Sequence, residues 1–176
     1  MKNKYLKIFI IIFFIFSFFI FYYGLKQKDL YTTENSGIQK FPNLTLQDFF
    51  TNKQISFEDI LIDGNYYLVN IWSSWCLPCR DEHIYLTQIK KNSSVKIIGI
   101  NYKDKKNNAE KFLDEFGNPY EYILNDKDGI ASIEIGAYGV PESFILNRQK
   151  EIVKKIIGPI DQKKFKKVLK IIKNEN

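Results

Sequence analysis

An uninterrupted apolar segment near the N-terminus places the strongest constraint on how this chain can fold. Residues 8–25 contain no charged side chain. A membrane-spanning helix needs about 20 predominantly apolar residues, with a range of roughly 17 to 25. The lysines that flank this segment are Lys2, Lys4 and Lys7 before it and Lys26 and Lys28 after it. The sequence therefore predicts one transmembrane helix over residues 8–25.

The flanking charges also predict the orientation of this helix. Three lysines and the amino terminus precede it, and the more basic flank of a spanning helix stays in the cytoplasm. A cleaved signal peptide is the alternative, but its apolar core is usually about 7 to 15 residues long and ends at a small-residue site. Residues 21–30 offer no such site. We expect residues 1–7 in the cytoplasm, a tether over 26–40, and an exported domain over 41–176.

The composition argues against several classes of function. The formal net charge is +6, and most of this excess lies in residues 1–29. The remaining lysines are scattered, without the aromatic and arginine pattern of a nucleic-acid surface, so no nucleic-acid partner is predicted. The chain has two cysteines and one histidine. A structural zinc site needs about four ligands, so neither a metal nor another cofactor is predicted.

Hydrophobic periodicity predicts alternating strands and helices in the exported part. The predicted strands are 41–46, 54–57, 67–72, 95–100, 120–124, 143–146 and 152–157. The predicted helices are 57–61 with Ser56 as its cap, one from the cysteine motif to 91, 108–116, 162–173, and a short turn over 130–135. The nearly continuous apolar run at 67–72 is typical of a strand buried on both faces. This order predicts an α/β sandwich around a mixed sheet, with an N-terminal hairpin.

The two cysteines lie where the central strand meets the next helix. Cys76 and Cys79 are three positions apart, one helical turn, so their sulfurs can reach bonding distance. A helix N-terminus favours an anion, and the thiolate is the reactive form of cysteine. Pro78 falls in the first turn, where a missing N–H costs little. A structural disulfide is the alternative, but so short a loop constrains little chain entropy. The motif therefore predicts a redox pair in which Cys76 attacks and Cys79 resolves.

The residues around this motif resemble the thioredoxin superfamily, and further runs narrow the resemblance. The runs that carry it are 72–79, 79–83, 99–104, 117–120 and 136–144. They are similar to the DsbE/CcmG proteins of bacterial cytochrome c maturation, in the TlpA-like branch of the superfamily. The resemblance covers roughly residues 40–173. It implies a thioredoxin-like three-layer sandwich with an extra helix–strand insertion between residues 100 and 141.

The resemblance also implies roles for individual residues. Pro141 matches the family's cis proline that faces the disulfide. With this bond cis, the backbone of Val140 would bind an extended substrate strand. The predicted substrate-binding residues are Trp75, Pro78, Val140 and Pro141, and Arg80 and Glu142 are further candidates for the border of the groove.

Glu82 is the third predicted catalytic residue, after the two cysteines. Asn70 stands on the central strand where thioredoxin has a buried Asp, and Glu82 lies one helical turn after Cys79. A partly buried carboxylate has a raised pKa and can accept the Cys79 proton during resolution, a tuning role that the resemblance also implies. The alternative is a surface glutamate that stabilises the helix N-terminus. His83 points to another side of the helix, and we expect it to have a surface or packing role.

The resemblance implies a reductase of cytochrome c biogenesis. Its client would be apocytochrome c or a partner thiol protein of the maturation pathway, and its electron donor a membrane thiol reductase of the DsbD or CcdA type. It implies a single-pass protein of the bacterial inner membrane with a periplasmic catalytic domain. Two alternatives remain: a general extracytoplasmic disulfide reductase or oxidase with other clients, and a non-enzymatic binding protein with a thioredoxin-like fold.

Overall fold

The computed structural model describes residues 2–26, 39–62 and 64–174 of the chain. It divides into two compact units, residues 1–35 and residues 36–176. The predicted tether over 26–40 falls largely on residues 27–38, which lie outside the described residues. Gln39 and Lys40 are an exception, because they form a short strand. The backbone of these two residues pairs with Ile152 and Glu151, so the ordered structure begins inside the range predicted for the tether.

The first unit contains one helix, α1, over Lys2–Lys26. Its stretch Lys4–Tyr23 has a mean hydropathy of 2.4 and is long and apolar enough to cross a membrane. The described side chains of this stretch are exposed on every side of the helix. A helix that is apolar and exposed all round suits a lipid environment. The structure therefore contains a helix that includes the whole predicted range 8–25.

The second unit is built on a mixed sheet of eight strands among the described residues. The strands are β1 (Gln39–Lys40), β2 (Thr45–Asp48), β3 (Gln54–Ser56), β4 (Tyr67–Trp72), β5 (Lys96–Tyr102), β6 (Tyr122–Asp126), β7 (Glu142–Leu146) and β8 (Glu151–Ile157). Their order in the sheet is β1-β8-β7-β4-β5-β6-β2-β3. The helices are α2 (Phe57–Ile60), α3 (Leu77–Asn92), α4 (Lys106–Phe116), α5 (Ile130–Glu134) and α6 (Gln162–Asn174).

The centre of the sheet forms as the apolar run predicts. Every residue of β4 is buried, which is typical of a strand covered on both faces. β4 pairs in parallel with β5, where Val69 lies opposite Ile98, and antiparallel with β7, where Ile71 lies opposite Glu142. β5 in turn pairs in parallel with β6. The three-layer sandwich and the mixed sheet of the prediction are confirmed.

Two hydrophobic cores lie on opposite faces of this sheet. One contains Phe112 of α4 and Val168 of α6 together with both cysteines, and it lies beneath α3. The other contains Phe57 of α2 and packs against Ala131 of α5. α4 and β6 form the predicted insertion, and β6 extends the sheet to the hairpin of β2 and β3. The insertion therefore widens the sheet on the side away from β7.

The N-terminal hairpin is present with shifted bounds. β2 begins at Thr45, whereas the predicted strand began at Phe41. Phe41 instead donates its N–H to the carbonyl of Lys150 and buries its ring in the core. Pro42 follows and has no N–H to continue a ladder. The predicted helix after the hairpin runs over Phe57–Ile60, and Ser56 caps its N-terminus as predicted, in a capping box with Asp59.

Candidate active site

The cysteine pair lies at the junction between β4 and α3. Cys76 is the N-cap residue of α3, and Cys79 lies in its first turn. The two residues form a disulfide with their Cα atoms 5.3 Å apart. The backbone N–H of Cys79 donates to Sγ of Cys76 at 3.2 Å. A sulfur at this position faces the unpaired N–H groups and the positive end of the helix dipole, a place that favours negative charge.

The loop before Cys76 is held by an aspartate that the sequence reasoning missed as a site residue. Both carboxylate oxygens of Asp104 accept hydrogen bonds from Ser74, from its backbone N–H at 2.6 Å and its hydroxyl at 2.8 Å. The Trp75 indole N–H donates to the carbonyl of Lys103 at 3.1 Å, while the ring remains 58% exposed. A fixed, exposed indole therefore lies next to Cys76. The run Asn-Tyr-Lys-Asp at 101–104 was the sequence feature from which a role for Asp104 in the site could have been predicted.

The predicted cis proline lies at the same edge of the sheet as the cysteine motif. The Val140–Pro141 peptide bond is cis. Glu142, the next residue, lies opposite Ile71, one residue before the end of β4. Val140 is partly buried and packs against the core cluster that includes both cysteine side chains. The structure thus brings Val140 and Pro141 to the end of the sheet where Cys76 lies.

Of the candidates for the border of the groove, Glu142 does not fit, because its side chain is 2% exposed. It accepts hydrogen bonds from the backbone N–H groups of Tyr138 and Gly139 at 2.8 and 3.1 Å. Its other oxygen has no well-aligned hydrogen bond but lies 3.0 Å from the Lys155 ammonium. Burying a carboxylate requires such partners. Glu142 therefore braces the loop before Pro141 from inside. Arg80 is exposed next to Cys79.

Glu82 is buried in the interior beneath the cysteine pair, with 1% of its surface exposed. Its Oε1 accepts a hydrogen bond from Nδ2 of Asn70 at 2.8 Å. Its Oε2 accepts one from the backbone N–H of Ile160, also at 2.8 Å. The position excludes a surface glutamate at the start of the helix. Glu82 lies on α3 one turn after Cys79, on the side that faces the core.

Burial dominates the protonation of Glu82. Desolvation raises its pKa from 4.5 to about 7, although the hydrogen bonds from Ile160 and Asn70 and the charge of Lys164 act in the opposite direction. A carboxyl group with this pKa exchanges its proton near neutral pH. It is therefore suited to act as a general base or acid.

His83, the neighbour of Glu82, points away from the cysteines and has the predicted packing role. Its ring is buried, and its Nε2 lies 2.7 Å from the carbonyl oxygen of Gly117. It meets the Phe112 ring edge-on at 4.9 Å. Burial lowers the pKa of the imidazole, which favours the neutral form. The side chain joins α3 to the end of α4.

The arrangement as a whole is suited to thiol–disulfide exchange. It combines a cysteine at a helix N-terminus, a second cysteine one turn deeper, a buried carboxyl group beneath it and a cis proline at the same sheet edge. Among the described residues, no group of three or more His, Cys, Asp or Glu side chains is placed to hold a metal. The fold and the site together define a thioredoxin-fold protein of the thiol–disulfide oxidoreductase class.

Comparison with known proteins gives the family. The Redoxin family model matches residues 38–172, so the chain belongs to the Redoxin family. It is 35% identical over 146 residues to the thiol:disulfide interchange protein DsbE of Haemophilus influenzae, covering 82% of this chain and 80% of that protein. The chain is therefore a member of the DsbE group of thiol:disulfide interchange proteins.

The chain also matches a second relative and a solved structure. The thiol:disulfide interchange protein CycY of Rhizobium leguminosarum bv. viciae is 48% identical over 101 residues, which are 57% of this chain and 54% of that protein. The chain thus matches about half the length of this relative. The crystal structure of a secreted thiol-disulfide isomerase from Corynebacterium glutamicum superposes with a TM-score of 0.69 at 19% identity, covering 84% of this chain and 92% of that one. This second likeness is one of fold.

Proposed function

We propose that this protein is a membrane-anchored periplasmic thiol:disulfide oxidoreductase that reduces disulfides of apocytochrome c or of a partner thiol protein during cytochrome c biogenesis. The observation that carries the redox activity is the Cys76–Cys79 disulfide at the N-terminus of α3, above the buried Glu82. Membership of the DsbE group supports thiol–disulfide exchange with a client protein. The apolar helix Lys4–Tyr23 supports the anchor.

The reaction begins with the reduced protein. The Cys76 thiolate attacks one sulfur of the client disulfide, forming a mixed disulfide and releasing the other client sulfur as a thiolate. The N–H groups at the start of α3 stabilise the Cys76 thiolate before the attack. The exposed Trp75 ring and the backbone of Val140 border the sulfur and position the client chain. Pro78 lies exposed on the same turn.

Cys79 then completes the exchange. Its thiol loses a proton, and the resulting thiolate attacks the Cys76 sulfur, which breaks the mixed disulfide and releases the client as a second thiol. Two electrons pass from the protein to the client, and the protein is left as the disulfide. Glu82 accepts the proton from Cys79, because both hydrogen-bond partners of its carboxylate are donors and leave it in the form that can act as a base. A membrane thiol reductase of the DsbD or CcdA type then restores the dithiol.

Trapping tests the client. A full-length Cys79→Ser variant cannot resolve the mixed disulfide, so it holds clients covalently at Cys76. We expect capture of apocytochrome c or of a thiol protein of its maturation pathway, detected by mass spectrometry of membranes prepared with thiol blocking. The matched control is Cys76→Ser, which removes the attacking sulfur and captures none of them. Capture of unrelated exported proteins alone would replace this proposal by a general extracytoplasmic reductase or oxidase.

A further inference from the structure

A buried network of hydrogen-bonded polar side chains extends from the carboxyl group of Glu82 to Tyr120, in the core on the α3 face of the sheet. The Tyr120 hydroxyl donates to Oδ1 of Asn70 at 2.9 Å. The Asn70 amide group donates through Nδ2 to Glu82 at 2.8 Å and to the Ser143 hydroxyl at 3.0 Å. All four residues are at most 4% exposed. This hydrogen-bonded network joins β4, β7, the loop before β6 and α3, so its members are far apart in sequence.

The packing around Tyr120 is arranged so that its hydroxyl can reach Asn70. A Cβ atom at Gly99 would lie 2.9 Å from Cδ1 of Tyr120 and 2.8 Å from Nε1 of Trp72. Such distances are shorter than side chains tolerate, so only glycine lets the ring lie this close to β5. The Trp72 ring stacks on Tyr120 with 5.4 Å between the ring centroids. The position of the phenol is therefore fixed from two sides.

The Tyr120 hydroxyl determines which side of the Asn70 amide group faces Glu82. An amide side chain presents an acceptor on one side and two donors on the other. A donor at Oδ1 holds the Asn70 oxygen toward Tyr120, which leaves the NH₂ group pointing at Glu82. Without that donor, Oδ1 would be a buried acceptor with no partner, and a rotated amide would turn its oxygen toward the carboxylate. Tyr120 thus controls a contact that it does not itself make.

We propose that Tyr120 and Asn70 are positioning residues for Glu82, in which Tyr120 orients the Asn70 amide so that its NH₂ group stabilises the ionised carboxylate. The inference deepens the proposed function and rests on it where it concerns catalysis. In that role the pair sets the pH at which Glu82 is free to take the Cys79 proton. The Tyr120 phenol itself stays protonated, since burial raises its pKa well above the usual value.

Other titratable groups around Glu82 come from three directions. Tyr120 lies before β6, Cys79 lies on α3 itself, and Lys164 acts from α6. The Lys164 ammonium donates to the carbonyls of Ile157 and Pro159 at 2.9 and 2.8 Å, so its charge is held in place. In the disulfide form Cys79 does not titrate. A change at Tyr120 can therefore be followed at Glu82 in the oxidised protein without interference from the thiols.

The test uses the full-length oxidised protein in detergent micelles. The titration of the Glu82 carboxyl carbon is followed by ¹³C NMR and assigned by its loss in Glu82→Gln. We expect Tyr120→Phe to raise the midpoint of the Glu82 titration by about 0.5 pH unit, because the Asn70 amide group would stabilise the carboxylate less well once its orienting hydrogen bond is lost. This shift corresponds to about threefold less ionised Glu82 at pH values below the midpoint. Asn70→Leu removes the donor itself and should raise the midpoint further.

Tyr67→Phe is the matched control. Tyr67 is a buried tyrosine on the same strand β4, but its hydroxyl hydrogen-bonds with the backbone of Ile60 and Ile62 instead of with Asn70. It should lower stability without moving the Glu82 midpoint. An unchanged midpoint in Tyr120→Phe, or an equal shift in Tyr67→Phe, would overturn the inference. If the midpoint moves but Glu82→Gln releases clients at the wild-type rate, the positioning stands and the proposed role of Glu82 in resolution fails.

Discussion

Two buried glutamates lie on opposite faces of the central sheet, and their partners differ. Glu142 lies on the face of α2 and α5, where two backbone N–H groups and the Lys155 ammonium surround its carboxylate. Glu82 lies on the face of α3, where its oxygens accept from one amide side chain and one backbone N–H. The first has a direct cationic partner at 3.0 Å, and the second has two uncharged donors.

This difference separates a carboxylate held in an ion pair from one held by neutral donors. The Lys155 ammonium, in direct contact with Glu142, ties that side chain to one geometry. Two neutral hydrogen bonds compensate only part of the desolvation of Glu82, so its pKa rises to about 7. Glu82 and Glu142 are about equally buried, so the difference between their roles comes from the groups that surround each carboxylate. Three experiments test this contrast.

The largest effect is expected where the direct ion pair is broken. Glu142→Gln keeps the shape and an acceptor for the loop N–H groups, but it leaves the Lys155 ammonium, whose side chain is 8% exposed, without its carboxylate. Removing one partner of a buried ion pair costs about 4 kcal/mol of the free energy of unfolding. The ammonium keeps its hydrogen bond to the Gly136 carbonyl and its contact with the Tyr138 ring. Chemical denaturation measures this loss. The double variant Glu142→Gln with Lys155→Met should recover part of it, and a lack of recovery would show that the pair is not the source of the cost.

A slightly smaller effect is expected in the pH dependence of stability. The folded protein holds the Glu82 proton up to about pH 7, whereas the unfolded chain releases it near 4.5. This group therefore stabilises the fold fully below pH 4.5, and its contribution falls by roughly 3 kcal/mol as the pH rises to about 7. Glu82→Gln removes this slope. Denaturation of the oxidised protein between pH 4.5 and 8 measures it, and parallel curves for the two proteins would contradict the raised pKa.

The third effect is on the chemical step. Glu82→Gln cannot accept the Cys79 proton, and a lost general base slows a proton transfer by about 100-fold, equivalent to about 2.7 kcal/mol of barrier. Stopped-flow release of a peptide thiol from the mixed disulfide at pH 7 measures the change. Wild-type release should rise with pH around 7, and the variant should lose this inflection. Glu115→Gln, an exposed position on α4, is the control and should retain the wild-type profile.

Much of the fold could be predicted from the sequence because its signals are local. The run 67–72, the capping serine at 56 and the amphipathic pattern of 162–173 gave β4, α2 and α6 with small errors in their bounds. The error at Phe41 arose because an isolated alternating stretch does not reveal which strand it pairs with. Gln39 and Lys40 were assigned to a tether for the same reason. Their strand exists only because β8 offers an edge.

The residues of the site also divide into those that neighbouring positions in the sequence predict and those that they do not. The cysteine pair and the helix that begins at it are readable from adjacent residues, and so is the turn that places Glu82 after Cys79. Asp104 was missed as a site residue because its contact with Ser74 joins positions 30 residues apart. Glu142 was placed at the groove because its neighbour Pro141 is there, yet strand alternation turns its side chain into the core.

The sequence by itself determined the redox pair, the order of strands and helices, and an N-terminal helix apolar enough to span a membrane, since each depends on residues close together in the chain. Only the tertiary structure decided the environment of Glu82. Its partners Asn70 and Ile160, and the tyrosine behind Asn70, come from segments separated by 12, 78 and 50 positions in their contacts. Desolvation and hydrogen bonding depend on what surrounds a group in space, so the pKa of this carboxyl group follows from packing that no local pattern records.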